Sequence, residues 1–244
     1  VGSGTKVEYL QVHENADDGV EFFGGTVSLK YVVLTGNQDD SVDWDNGYRG
    51  NMQYVLVKHD ADNGAANRGI EADNDGSSPD KQPQSNPTIA NMTIIGNTFD
   101  TADKDSEGVY LREGTKAQLH NFVVTNAAGE CLELEGGETS SITVDQAVAG
   151  ETVISNSVFA CSENFKDSKA ADGTVLLDTQ NWVLNENTDN STAADMDAVL
   201  NGVFTIDTTT PKDFTGNAFF DNANHIGAVS QENDWTTGWT VGLE

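Results

Sequence analysis

Five short segments of the chain repeat one pattern of apolar and acidic residues. They read DDGVEFFGG (17–25), DDSVDWDNG (39–47), NRGIEADND (67–75), SEGVYLREG (106–114) and GECLELEGG (129–137). In each segment, apolar positions alternate with positions that are mostly acidic, and this period of two is typical of a strand with one buried face. Aligned on the alternation, the segments predict a single buried column of stacked side chains: Val20, Val42, Ile70, Val109 and Leu132.

A second apolar strand precedes each of these segments. The stretches EYLQVHEN (8–15), KYVVLTGN (30–37) and QYVLVKHD (53–60) lie 22 and 23 residues apart, and 90–97 and 120–126 continue the series. Stretches 156–164 and 180–187 look like decayed copies. The asparagines that close four of these strands suggest a stacked side-chain ladder: Asn15, Asn37, Asn97 and Asn126. Two short strands in each repeat, with no helical pattern between them, indicate a parallel β-solenoid.

The repeated motif is a strand, an asparagine, a short loop and then Asp/Glu-Gly-Val/Ile. It resembles the right-handed parallel β-helix of secreted bacterial proteins, the superfamily that includes pectate lyases, and the resemblance covers about 1–187. It implies an all-β fold in which residues 1–189 form the coils of a right-handed parallel β-helix. We expect the irregular segment 190–244 to cap the open end. Because the chain starts inside a strand-like pattern, we also expect upstream coils to be missing.

The charge of the chain excludes some partners. With 40 acidic against 12 basic residues, the formal net charge is −28, and such a field repels nucleic acids and anionic membrane surfaces. No apolar run approaches the roughly 18 residues that a membrane helix needs, so we expect no membrane insertion. Cys131 and Cys161 lie one or two coils apart, which leaves open a disulfide or two buried thiols.

The acidic positions of the repeat point outward and stack about 4.8 Å apart in successive coils. The two predicted outward columns are Glu21–Asp43–Glu71–Tyr110–Glu133 and Phe23–Asp45–Asp73–Arg112–Glu135. Asp43, Asp45, Glu71 and Asp73 then share one small patch, and carboxylates this close cannot all ionise without a counter-charge. Hard oxygen ligands favour Ca²⁺, so these four residues are the predicted metal ligands. The alternative is that the outward acids serve solubility alone.

Two further acidic groups belong to the loops. The pairs Asp17/Asp18 and Asp39/Asp40 form one candidate stack beside the strands. The second group is the set of acidic residues around the two insertions: Asp60, Asp62, Asp73 and Asp75.

These features favour a secreted or cell-surface, calcium-stabilised β-helix that engages an extracellular glycan or a surface partner. The predicted ligand-binding residues are Phe23, Tyr110, Arg112 and Glu133. The resemblance also implies an alternative, an extracellular polysaccharide lyase in which bound Ca²⁺ is substrate-bridging and Arg112 removes the proton. Related hydrolases use carboxylates as acid and base, and here Asp43 or Asp45 would act against Glu71 or Asp73. The predicted catalytic residues are thus Asp43, Asp45 and Glu71, with Arg112 for the lyase reaction. A third reading is a structural module of a larger surface assembly.

Overall fold

The computed structural model describes residues 2–61, 66–98 and 106–243. Most of its strands belong to two sheets in which all pairs are parallel. The strands of the long sheet are Lys6–His13, Ser28–Thr35, Asn51–Lys58, Thr88–Ile95, Gln118–Thr125, Val153–Ser155, Val158–Ala160 and Ser191–Thr192. Those of the short sheet are Val20–Phe23, Val42–Asp45, Ile70–Ala72, Val109–Leu111, Glu130–Leu134 and Glu163–Lys166. The chain alternates between the two sheets, which gives the predicted parallel β-helix.

The register of the short sheet confirms the predicted buried column. Val20 pairs with Val42, and the pairing continues through Ile70 and Val109 to Leu132. From Val42 onward, these residues are at most 1% exposed. Because a strand turns successive side chains to opposite faces, burial of this column places the intervening acidic residues on the outside.

The long strands bend at one position that repeats from coil to coil. There the backbone adopts φ between 53° and 60° in six residues that are not glycine: Tyr9, Tyr31, Tyr54, Asn91, Asn121 and Asn156. The rings of Tyr9 and Tyr31 stack with centroids 4.6 Å apart, and those of Tyr31 and Tyr54 are 5.2 Å apart. The stacked ladder therefore lies at this bend. At the strand ends, where we expected an asparagine ladder, Asn15 N donates a hydrogen bond to Asn37 Oδ1 at 3.4 Å.

The core between the sheets is made of stacked aliphatic side chains and a few large aromatic ones. Trp44 is fully buried, and its Nε1 donates a hydrogen bond to Thr115 Oγ1 at 2.9 Å. Cys131 and Cys161 form a disulfide across a Cα–Cα distance of 5.6 Å. Of the two alternatives left open by the sequence, the structure has the disulfide.

Short helices interrupt the coils after residue 140. They are Ile142–Val148, Thr179–Asn181, a π-helix over Trp182–Glu186 and a 3₁₀-helix over Met196–Ala198. Trp182 is 2% exposed and donates from Nε1 to the carbonyl of Ala147 at 3.2 Å, so the first three helices pack together against the core. Two small hairpins complete the chain: Ser168–Lys169 with Val175–Leu177, and Leu200–Asn201 with Phe204–Thr205. No described helix has the length and apolar character to cross a membrane.

The last part of the chain, residues 206–243, is called the tail below. It runs from the later coils back to the first along the outer side of the long sheet. Its contacts follow that order. Asn156 Nδ2 donates to the carbonyl of Thr210 at 2.9 Å. Gln53 exchanges two hydrogen bonds with the backbone of Asp221, and Gln11 exchanges two with the backbone of Val241, at 2.8 and 3.0 Å. These contacts lie beside the coils. The expected division at residue 189 and the end-capping role of 190–244 stay predictions.

Candidate functional site

The outer side of the short sheet presents three columns of polar side chains, together called the acidic face. The first column lies at or just before the start of the strands and contains Asp18, Asp40, Arg68, Glu107, Glu130 and Glu163. The second contains Glu21, Asp43, Glu71, Tyr110, Glu133 and Lys166. The third contains Phe23, Asp45, Asp73, Arg112 and Glu135. The strand register thus reproduces both predicted columns and adds a third.

Arg112 ties together two of the carboxylates that the sequence predicted as metal ligands. Its Nε and Nη2 donate to the two oxygens of Asp73 at 2.7 and 2.9 Å, and its Nη1 lies 3.4 Å from Glu71 Oε1. Burial lowers the pKa of Arg112, but the hydrogen bonds and charges of Asp73 and Glu71 raise it by more, so the net shift is upward. The guanidinium therefore stays charged and is a poor proton acceptor.

Arg68 is a second arginine of the acidic face, and it is not among the residues predicted from the sequence. Its Nε donates to Glu107 Oε2 at 2.7 Å, and its Nη1 donates to Glu71 Oε1 at 2.6 Å. Its guanidinium lies 4.9 Å from the ring centroid of Tyr110, and that of Arg112 lies 5.8 Å from it. The signal was present in the segment NRGIEADND, because Arg68 stands where the earlier segments carry Asp18 and Asp40.

At the start of the acidic face, the ion pairs among the described residues join no arginine or lysine to a group of three carboxylates. Asp18, Glu21 and Asp43 each offer an oxygen within 4.8 Å of the others. Burial, and then repulsion by Glu71 and Asp18, raises the pKa of Asp43 to about 8, and burial raises that of Asp18 to about 6. A divalent cation among them would offset this repulsion. The acidic clusters of the protein are therefore able to bind a metal.

The other predicted ligands lie outside this group of three. Asp45 accepts hydrogen bonds from the backbone N and the Nδ2 of Asn46, at 2.5 and 2.6 Å, so it shapes the turn that follows its strand. Of the loop acids, Asp75 pairs with Lys81, whereas Asp62 lies outside the described residues. Asp17, Asp18 and Asp39 form a further group within 4.8 Å, as do Glu107, Glu130 and Glu133.

The arrangement of these columns agrees with a comparison against protein families. The model of the pectate-lyase-like β-helix domain matches residues 1–240. The chain belongs to this family. No curated protein and no solved structure matched the chain. Membership in the pectate-lyase-like β-helix family suggests a carbohydrate-related function and an interaction with polysaccharide.

In this pectate-lyase-like β-helix, the predicted ligand-binding residues are spread along the acidic face. Phe23 is 70% exposed at one end of the third column. Tyr110 is half-buried, and both guanidinium groups described above lie within 6 Å of its ring centroid. Burial raises the pKa of Glu133 to about 7 against the opposing effect of Lys166, whose Nζ lies 2.9 Å away. The face thus combines one exposed ring with many hydrogen-bond acceptors.

Proposed function

We propose that the protein binds an extracellular glycan along the acidic face. The observation that carries the proposal is a difference between the outer sides of the two sheets. The short sheet presents three columns of polar side chains, whereas the tail lies over the long sheet. From Phe23 to Glu135 the third column crosses five coils, or about 19 Å at the strand spacing of a sheet. Such a surface suits an extended chain of sugars, with Phe23, Tyr110, Arg112 and Glu133 as contacts.

Calcium belongs to this proposal as a stabilising ion. The oxygens of Asp18, Glu21 and Asp43 suit Ca²⁺, which takes carboxylate and water ligands in irregular geometry. The four-carboxylate site expected from the sequence is less favourable, because Glu71 and Asp73 already pair with arginines. Asp43 is common to both sets. Bound calcium would supply the positive charge that this end of the face lacks.

Glycoside hydrolysis is a second candidate function, favoured by one observation. Burial and the neighbouring carboxylates raise the pKa of Asp43 to about 8, which keeps this carboxyl protonated near neutral pH when no metal is bound. A protonated carboxyl is the group that donates a proton to the leaving oxygen of a glycosidic bond. Asp45 or Glu71 would act as the base. A lyase reaction is less favoured, because the paired Arg112 suits binding better than proton removal.

The disulfide supports a location outside the cytosol. Disulfides persist mainly in oxidising compartments, and the bond between Cys131 and Cys161 lies inside the coils. We propose that the protein is secreted or displayed at the cell surface, where glycans are available to it.

Binding to an array of immobilised polysaccharides tests the proposed function. We expect the wild-type protein to bind at least one glycan, and Glu133→Gln to weaken that binding. Glu151→Gln is the matched control, because Glu151 pairs with Lys116 away from the acidic face. Release of reducing ends or of unsaturated products from the bound glycan would assign the hydrolase or the lyase. A folded protein that binds no glycan would contradict the proposal.

A further inference from the structure

We propose that the glycan recognised by the acidic face carries no negative charge, so that its sugars are neutral or bear amines. This inference rests on the proposed function and names the class of ligand for the same face. It follows from what the basic side chains of the face already contact.

Each basic side chain in the three columns is engaged by carboxylates of the protein. Arg112 holds Asp73 through two hydrogen bonds of 2.7 and 2.9 Å. Arg68 bridges Glu107 and Glu71 at 2.7 and 2.6 Å. A sugar carboxylate that approached either guanidinium would have to displace a protein carboxylate from a short, charge-assisted hydrogen bond.

Lys166 repeats this pattern at the far end of the second column. Its Nζ lies 2.9 Å from Glu133 and 3.9 Å from Glu130. Thus the cation at that end is also shared by two carboxylates of the protein. An anionic glycan therefore meets the same competition at each basic position along the face.

The remaining charge of the face also opposes anions. Carboxylates outnumber basic side chains in each of the three columns. Like charges at the separations of neighbouring strands repel one another, and the repulsion grows as water is excluded by a bound ligand. An added uronate or sulfate group would increase this repulsion, whereas a hydroxyl or an ammonium group would not.

The face does offer contacts that suit a sugar without negative charge. Phe23 is 70% exposed and stands directly beside Asp45 in the third column. Burying the apolar C–H side of a sugar ring against such a side chain is favourable. The carboxylate oxygens next to it accept hydrogen bonds from sugar hydroxyls, which are donors that a neutral sugar supplies in number.

The test compares pairs of polysaccharides that share a backbone and differ in charge. Hydroxyethyl cellulose is compared with carboxymethyl cellulose, and fully methyl-esterified polygalacturonate with its de-esterified form, each in Ca²⁺ and in EDTA at 0.15 M salt. We expect the dissociation constant of the carboxylated member to be roughly tenfold higher, equivalent to about 1.4 kcal/mol. Equal or tighter binding of a carboxylated member in either buffer would overturn the inference. Absence of binding to every member would overturn the proposed function as well.

Two variants sharpen this comparison. Asp73→Asn removes the charge that Arg112 holds, so selectivity should shift toward the carboxylated polymer; an unchanged ratio in a folded variant would overturn the inference. Phe23→Ala should weaken binding of the neutral polymer without affecting the fold. Val148→Ala is its control, because Val148 is 64% exposed but lies outside the acidic face. Equal loss in both variants would contradict the role of Phe23.

Discussion

The two outer faces of the coils are built from the same repeat but carry opposite chemistry. On the short sheet the outward positions are mostly charged, and the side chains of the second column range from half-buried, as at Asp43, to exposed, as at Glu21. On the long sheet the outward side chains include Val33, Leu56 and Val123, each 0% exposed, which pack with Ile226 and Val229 of the tail. The difference shows which face the protein covers with its own tail; under the proposed function, the other face binds the glycan.

The bend of the long strands shows how closely the tail is matched to the coils. In the first coils the bend carries tyrosines, and Trp235 and Trp239 of the tail meet Tyr31 and Tyr9 edge-on at 5.4 and 5.7 Å. In the later coils it carries asparagines, whose side chains bond to the tail backbone: Asn91 to His225, Asn121 to Lys212 and Asn156 to Thr210. The tail thus packs against aromatic side chains in the first coils and forms hydrogen bonds with amide side chains in the later coils.

Deleting the tail after Ile206 should lower the stability of the protein more than any other change considered, because it uncovers the apolar outer side of the long sheet. Each fully buried aliphatic side chain contributes about 1.5–3 kcal/mol, and several are exposed at once. We expect a protein that is unfolded or aggregated by size-exclusion chromatography and that melts far below the full-length chain. A monomer with an unchanged melting curve would show that the tail is dispensable for the covered face.

A single substitution beneath the tail should lower the free energy of unfolding more than one on the acidic face. Leu56→Ala leaves a cavity beneath the tail and should lower the free energy of unfolding by about 2–5 kcal/mol. Phe23→Ala on the acidic face removes an exposed ring and should change it by less than about 0.5 kcal/mol. Urea titration of both variants measures the two values. Similar losses would mean that the faces do not differ in their contribution to stability.

The sequence predicted the register because alternation with a period of two reports which side of a strand a residue occupies. It therefore placed Val20 and Val42 inside and Asp43 outside, as the structure has them. Alternation does not report partners that come from distant segments. The course of the tail, the pairing of Arg68 with Glu107 and the disulfide all depend on such contacts, and none has a periodic signal.

The ladder illustrates the same limit of the sequence pattern. The asparagines at the strand ends are conspicuous in the repeat, whereas the ladder at the bend changes from tyrosine to asparagine between coils. A change of residue type hides a structural column from inspection of the repeat. Only the shared backbone conformation, with positive φ at Tyr54 and Asn91 alike, reveals that the positions are equivalent.

Calcium should act on the acidic face alone. A ligand that binds only the folded state adds about 2.7 kcal/mol at one hundred times its dissociation constant, so the melting temperature should rise with Ca²⁺ more than with Na⁺ at matched ionic strength. Asp43→Asn should flatten the Ca²⁺ response and raise the melting temperature in EDTA, since it removes a half-buried carboxyl whose raised pKa lowers the stability of the fold near neutral pH. Glu232→Gln, an exposed change in the tail, is the control. A full Ca²⁺ response in Asp43→Asn would place the ion elsewhere.

The pH dependence of stability should have opposite signs on the two faces, and it is the smallest effect because the two contributions partly cancel. Burial, and then repulsion by Glu71 and Asp18, raises the pKa of Asp43 from 3.8 in the unfolded chain to about 8, so stability falls as pH rises from about 4 to 8. On the covered face, burial lowers the pKa of His120 from 6.5 to about 3, with Lys212 adding to the shift.

Only the unfolded chain therefore takes up the histidine proton between about pH 6.5 and 3, and stability falls as pH decreases through that range. His120 Nδ1 and Ser155 Oγ form a hydrogen bond of 2.8 Å. The substitution His120→Gln retains a polar side chain at this position. Melting curves in EDTA from pH 4 to 8 should show His120→Gln losing stability with rising pH over the whole range, whereas Asp43→Asn should lose stability only as the pH falls below about 6.5. Between about pH 4 and 6.5 both groups change the stability, with opposite signs, so the wild-type profile should be nearly flat there. A variant whose profile had the opposite slope would show that the assignment of the two slopes to the two faces is wrong.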